Sequence, residues 1–322
     1  MPEDAVGRRV FCDGERGTVR YVGTVPPTTG LWLGVEWDNP DRGKHDGSHE
    51  GVCYFTCRHP TGGSFVRPKK VSFGVNFLTA VKLRYELCLD EALGEEVKIS
   101  TKTVKMVGFE SIMEKQRMDN LTEIALVNCE VNNRLSITSS PSSLSHAFSR
   151  LRVLTLNNCS ITWSQVLDCA PMWPNIEELF LNDNSITELQ RPTDVLQGLK
   201  VLDLSNNSLV QESVPQISNL SRLEVLNLSS TGMSSIQFSD ALPGTKTEMF
   251  PALKIFLLDD NKINEWAVIS ELEKLKSLVQ LSCLRNPLMD LEKNRETTHQ
   301  LLIACISQLK IVNRCEVCVH QH

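Results

Sequence analysis

From Leu121 onward the chain keeps returning to one phrase, L-x-x-L-x-L-x-x-N/C-x-L. It reads LTEIALVNCEV from Leu121, LRVLTLNNCSI from Leu151, IEELFLNDNSI from Ile176 and LKVLDLSNNSL from Leu199. It continues as LEVLNLSSTGM from Leu223, LKIFLLDDNKI from Leu253 and LVQLSCLRNPL from Leu278, with a worn copy, LKIVNRCEV, from Leu309. Starts lie 23 to 31 residues apart. No single copy can bury its own apolar face, so the copies must stack into a solenoid with one continuous core. The L-x-L pair points inward from a short strand. The Asn or Cys that follows sits inside the next turn, where it can satisfy backbone groups. Asn184, Asn207, Asn261, Asn286, Cys129 and Cys159 hold that place, and Thr231 substitutes for it once.

This is the grammar of leucine-rich repeats, and it predicts an α/β solenoid over residues 121–322. Residues 132–150, NNRLSITSSPSSLSHAFSR, interrupt it with serine-rich sequence, as a loop or as a lost or altered repeat. The N-terminal part follows a different pattern. Short β-prone runs (GTVRYVG, WLGVEW, VCYF, SFVRP) alternate with turn clusters (VPPTTG, HPTGG), which predicts a small antiparallel β-barrel. NFLTAVKLRYEL, residues 76–87, is expected to be a helix that closes the barrel. The expected domains are therefore 1–88 for barrel and helix, 89–120 for a connector and repeat cap, and 121–322 for the solenoid.

Composition narrows the function classes. The net charge of −6 carries no general nucleic-acid footprint. The 11 cysteines lack the even spacing of a secreted framework, and no apolar run approaches the length of a membrane helix. A reducing compartment with mostly buried thiols is expected, with neither nucleic acid nor membrane as a partner. No G-x-S-x-G, H-E-x-x-H or Walker-type motif occurs, so no catalytic residue, metal or cofactor is assigned, and the chain is not expected to be an enzyme. CEVCVHQH at residues 315–322 and CYFTCRH at 53–59 are each an incomplete zinc pattern. Cys315 is expected to pack in the terminal repeat, and Cys53, Phe55 and Cys57 to share the core face of a strand.

One stretch calls for a different explanation. GKHDGSHEG, residues 43–51, packs glycines, two histidines, a lysine and acids into one turn cluster. Its glycines do not link a strand to a helix start, which argues against a phosphate cradle. His45 and His49 with Asp46 and Glu50 offer metal-type ligands, an alternative ranked below a fixed binding loop. Asp46 and Ser48 suit local backbone bonding, and the glycines permit positive φ or close approach. Such a loop would hold Lys44 and His45 out as donors beside Trp32 or Trp37.

Taken together, WLGVEWDNP, GKHDGSHEGVCYF and HPTGGSFVRPKKV resemble the CAP-Gly domain over about residues 5–75, with the family's GKNDG loop present as Gly43-Lys44-His45-Asp46-Gly47. The resemblance implies an SH3-like barrel that recognises acidic-aromatic C-termini such as that of α-tubulin. It implies a peptide-binding groove of Trp32, Lys44, His45, Phe65 and Arg67, with an imidazole in the place of the usual Asn and a charge that varies near neutral pH. Trp37 is expected in the barrel core.

A CAP-Gly module followed by leucine-rich repeats, with RPTDVLQ, ELEKL and LSCLRNPL inside them, resembles the tubulin-folding cofactor E family of tubulin-specific chaperones over nearly the whole chain. That implies a non-enzymatic chaperone of the cytoplasm and cytoskeleton. Its partners would be α-tubulin, the tubulin heterodimer and the other tubulin-folding cofactors, and it would act in assembly or dissociation of the heterodimer. The alternative is a microtubule-associated adaptor for acidic tails. The family ends in a ubiquitin-like domain that this sequence does not contain, so a shortened form is expected. Repeat register places Glu178, Phe180, Asp203, Ile255, Leu257 and Asp259 on the concave face, with Phe180, Asp203 and Leu257 as a candidate second tubulin contact.

Overall fold

The computed structural model describes residues 5–85, 98–99, 102–103, 120–127, 131–132, 147–184, 186–291 and 294–317. The expected connector and the serine-rich interruption fall largely outside these residues, as do Cys129, Cys318, His320 and His322. The chain divides into two compact units. The first runs from Met1 to Asn76 and includes Glu130–Asn132. The second holds Phe77–Cys129 and Asn133–His322.

In the first unit four antiparallel strands form one sheet in the order β1 (Arg9–Cys12), β2 (Glu15–Thr24), β3 (Leu31–Trp37) and β6 (Gly63–Val66). Between β3 and β6 lies a short hairpin, β4 (Ser48–His49) and β5 (Val52–Cys53). Alternation along LWLGVEW sorts β3 by face. Leu33, Val35 and Trp37 enter a core with Val10, Cys12, Val19 and Val66, as expected for Trp37. Trp32, Gly34 and Glu36 take the opposite face.

The sheet is not a closed barrel. β1 and β6 are its two edges, and no strand pairs them among the described residues. The chain beyond β6 only bridges back to β1, where Phe11 and Ser72 exchange two backbone hydrogen bonds of 2.9 and 2.8 Å. A turn of 3-10 helix at Pro68–Lys70 lifts the chain off the ladder before it reaches β1. CYFTCRH does not form one strand either. Cys53 is exposed, and only Phe55 is buried.

The helix expected to close the barrel, Phe77–Tyr85, groups with the repeats instead. Phe77 is 1% exposed and packs against Phe148 and Trp173 at ring distances of 5.6 and 5.7 Å. The Tyr85 hydroxyl accepts from the Ala125 amide at 2.9 Å. The helix thus covers the N-terminal edge of the solenoid, whose first strand would otherwise leave backbone donors unpaired.

The repeats stack in register. Ile124, Leu154, Leu179, Leu202, Leu226, Phe256, Leu281 and Val312 form one column through a parallel sheet, each at most 2% exposed. The asparagines do what the template requires. Asn207 donates to the carbonyls of Leu181, Leu204 and Ser205, and its Oδ1 accepts from the amides of Asn184 and Ile186. Where Thr231 replaces Asn, its Oγ1 donates to the Leu228 carbonyl at 2.7 Å. The neighbouring Asn261 accepts from the Thr231 and Met233 amides. Cys159 fills the same place, its Sγ donating to the Leu126 carbonyl at 2.8 Å. Cys315 departs from expectation. It is exposed on a short strand, Cys315–Glu316, that turns back antiparallel on Ile311–Val312.

Candidate functional site

On β2, β3 and β6 the face opposite the core is built around a gap. Gly34 has Tyr21 beside it on β2 and Phe65 beside it on β6. A Cβ at Gly34 would lie 2.4 Å from the Phe55 ring. The missing side chain is what lets aromatic rings settle on the sheet. Phe65, half-buried, is their hub. Its ring lies 4.9 Å from His45, 5.4 Å from Tyr54, 5.5 Å from Phe55, 6.2 Å from His49 and 6.3 Å from Tyr21. Most of these are edge-to-face arrangements, the favourable geometry for aromatic pairs.

The GKHDG loop forms one wall of this nest. The amides of Lys44 and His45 both donate to the Gly63 carbonyl, at 2.7 and 3.1 Å, and the Gly63 amide donates to the His45 carbonyl at 2.7 Å. These bonds fasten the loop beside β6. A Cβ at Gly43 would meet the Thr61 carbonyl oxygen at 1.9 Å, so that approach requires glycine. Lys44 itself is exposed. Asp46 accepts from the Ser48 amide at 3.0 Å, and that bond holds its carboxyl below the usual range.

His45 serves the loop as well as the groove. Its Nδ1 accepts from the Gly47 amide at 3.1 Å, the bond an Asn side-chain oxygen would make two residues ahead of itself. The proton of the neutral ring is therefore on Nε2. Burial lowers its pKa from 6.5, with further lowering from His49 and Lys44 set against the opposing pull of Asp46. The shift favours the neutral ring. Its available donor is Nε2–H alone.

Trp32 and Arg67 form a separate pair. The Arg67 guanidinium lies 3.7 Å over the Trp32 ring, and its Nη1 donates to the carbonyls of Thr29 and Leu31. The Trp32 indole donates to Thr28. One face of Trp32 is thus covered by Arg67 rather than open to a ligand ring. Of the five expected groove residues, Lys44, His45 and Phe65 come together around the nest. Trp32 and Arg67 stand further along the same sheet face as a rigid rim.

Sequence reasoning did not find Tyr21, Tyr54 or Glu36, and it singled out His49 only as a metal-type ligand. Tyr21 was legible only through its register with Gly34. Glu36 gave no signal, because a strand glutamate ordinarily faces solvent. Here it is 4% exposed. Its Oε1 accepts from the Arg58 amide at 2.8 Å and from Arg58 Nε at 3.1 Å, while Oε2 accepts from Arg20 Nε and Nη2 at 2.8 and 2.7 Å. Burial alone would raise its pKa. The Arg58 amide and the Arg20 and Arg58 side chains outweigh that and hold it down to about 2. Because the folded value lies below the ordinary 4.5, Glu36 stabilises the fold above pH 4.5, and this contribution is lost as pH falls toward 2. Glu36→Gln is expected to lower stability by about 2 kcal/mol at pH 7. Denaturant titrations should show the gap to wild type closing below pH 4.5.

In the second unit Phe180 and Asp203 are paired neighbours on adjacent strands, with Asn227 between Asp203 and Leu257. All three expected contact residues are half-buried on the outward face. Asp203 is partly engaged, accepting from the Ser205 amide and hydroxyl. Asp259 is buried instead, accepting from the Ser282 hydroxyl and the Leu284 amide at 2.6 and 2.8 Å. It is part of the framework, not of the surface.

The family model of the CAP-Gly domain matches residues 6–71, and that of the leucine-rich repeat matches residues 174–236. Tubulin-specific chaperone E of Danio rerio is 57% identical over 97% of this chain and 69% of its own length. The protein of that name from Homo sapiens is 46% identical over 98% of this chain and 70% of its own. A solved structure of the Bik1 CAP-Gly domain with an ETF peptide from Bim1 is 34% identical, covering 20% of this chain and 80% of that one, with a TM-score of 0.19. With identity at this level along nearly its full length, this chain belongs to the tubulin-specific chaperone E family.

Proposed function

We propose that the chain is a non-enzymatic tubulin chaperone that captures the acidic-aromatic C-terminal tail of α-tubulin on its first unit. The observation that carries this is the nest around Phe65 with Lys44 exposed on the loop beside it. The rings offer an apolar wall to a terminal aromatic side chain. Lys44 and the Nε2–H of His45 offer charge and a donor to carboxylates. Trp32 and Arg67 form the far rim. In this reading the concave face of the repeats, through Phe180, Asp203 and Leu257, contacts the body of tubulin. Tethering by the tail raises the effective concentration of that second contact, so two modest interfaces hold firmly. The setting is the cytoplasm and cytoskeleton. The outcome, with the other tubulin-folding cofactors, is assembly or dissociation of the heterodimer.

The test is binding of the full chain to purified αβ-tubulin, intact and with the last residues of the α-tail removed. Lys44→Ala is expected to weaken binding to intact tubulin about tenfold, or ~1.4 kcal/mol. It should have no effect once the tail is gone. Binding indifferent to both changes would assign recognition to the repeats and overturn tail capture.

A further inference from the structure

Behind the parallel sheet the repeats hold a cavity of about 250 Å³ that neither tail capture nor the outward face of the strands uses. Its walls are Val214, Met233, Ile236, Phe238, Phe250 and Phe256, all buried. Its origin is local. The copies on either side close their backs with helical turns, Gln211–Asn219 and Trp266–Glu271. Between them the chain from Met233 to Phe238 has no helical turn, so fewer side chains fill the space beneath it. The walls are fastened. Gln211 Oε1 accepts from the amides of Ser234 and Ser235, at 3.1 Å each, and the Phe250 amide donates to the Ser218 carbonyl at 3.4 Å. These bonds keep the coil from settling into the space. An apolar hollow of ~150 Å³ already stays dry and takes up small apolar groups. Gln211, Glu212 and Gln237 stand at the mouth, and Val210, next to Gln211, is 42% exposed.

We infer that this cavity docks a basic protein segment, taking one large apolar side chain while lysines or arginines beside that side chain meet acids around the mouth. Charge selects the partner. Glu188, Glu265 and Asp290 stand four residues beyond Asn184, Asn261 and Asn286, and Glu212 stands five beyond Asn207. Backbone bonds join these stretches into one flank, from Val210 to Thr187 at 2.7 Å, from Lys262 to Met233 at 2.7 Å and from Leu288 to Ile263 at 2.9 Å. All four acids are exposed, and Glu212 lines the cavity. Lys262 is the opposing charge on the flank, and Arg191 lines a separate hollow beyond Pro215. Uncompensated acids beside an apolar hole repel an acidic tail and attract a cationic segment. The apolar side chain supplies the anchor, since it fills a preformed dry space. The partner is therefore chemically opposite to the ligand proposed for the first unit, and the two sites do not compete.

Selection of a random peptide library on the full chain tests this, with counter-selection on Ser235→Trp. Ser235 is half-buried and lines the cavity, so tryptophan there fills it. The variant keeps the first unit intact, so counter-selection also removes peptides that bind the Phe65 nest. Selected peptides should carry Phe, Leu or Trp flanked by Lys or Arg. Calorimetric titration of the synthetic peptides then measures each contribution. Alanine at the apolar position should weaken binding about thirtyfold. Glu212→Lys, at an exposed position that leaves the fold undisturbed, should weaken it about tenfold, and added NaCl should do the same progressively. Lys44→Ala should change nothing. Thermal unfolding of each variant checks that the fold stands. A selection that yields no peptide, peptides without a basic character, or affinities that Ser235→Trp and Glu212→Lys leave unchanged would each overturn the docking site, and none of them bears on tail capture.

Discussion

Asn261→Ala is expected to be among the most damaging single substitutions in the solenoid. Asn261 is 5% exposed, and its amide donates to the carbonyls of Leu228, Leu258 and Asp259 while its Oδ1 accepts from the Thr231 and Met233 amides. Alanine leaves backbone groups of two successive turns buried and unpaired, each costing about 1–3 kcal/mol. The summed loss should reach about 4 kcal/mol, at the upper end of point-mutant effects. The comparison is Thr231→Val, which removes one bond to the Leu228 carbonyl and should cost about 1 kcal/mol. Hydrogen exchange read by mass spectrometry locates the effect. Protection should fall in the strands Val225–Asn227 and Ile255–Leu257 first, and amides of the first unit should keep theirs. Equal losses from the two substitutions would mean that the asparagine is only one polar side chain among many.

Gly47→Ala is expected to disable the groove. Gly47 has φ +108°, outside what an L-residue adopts readily, and a Cβ there would lie 2.0 Å from the Phe55 carbonyl oxygen. The obstacle is the Phe55 backbone, which cannot swing aside as the end of a flexible side chain would. The loop must therefore leave its seat, taking with it the bond from the Tyr54 amide to the Gly47 carbonyl and the bond from the Gly47 amide to His45. Both lead to rings that pack on Phe65. We expect a loss of about 3 kcal/mol in the stability of the first unit. Affinity for an acidic-aromatic peptide should fall about a hundredfold or more, since the nest and Lys44 move apart. Gly51→Ala is the control. Its φ is +79°, yet a Cβ there meets nothing within 4 Å. It should cost only about 1 kcal/mol and leave binding intact. Calorimetric titration of the two variants separates a required close approach from mere backbone strain.

The contrast between these two sites is also the contrast between what could and could not be read in advance. The repeat phrase names Asn261 and its function outright. A leucine-rich turn closes on itself locally, so spacing in sequence is spacing in structure, and the hydrogen bonds of one asparagine reach only the adjacent copies. The same holds for the leucine column and for the loop chemistry of GKHDG, in which each residue bonds a partner a few positions away or on the neighbouring strand. The sequence by itself therefore determined the solenoid, the inward face of each strand and the place of the lysine loop.

The tertiary structure decided whatever depended on residues distant in sequence. The sequence of helix Phe77–Tyr85 does not say which unit it covers, and the packing of Phe77 on Phe148 and Trp173 assigns it to the repeats. The open sheet depends on a turn after β6 that sends the chain past the ladder. The ring nest depends on Gly34 lying opposite both Tyr21 and Phe65 across two strand pairings. Glu36 looks like any surface acid until register and a loop place Arg20 and Arg58 over it. Local hydrogen bonding writes itself into a repeat as a pattern. Contacts between distant segments leave no period behind, because the partner is set by the fold and not by spacing along the chain.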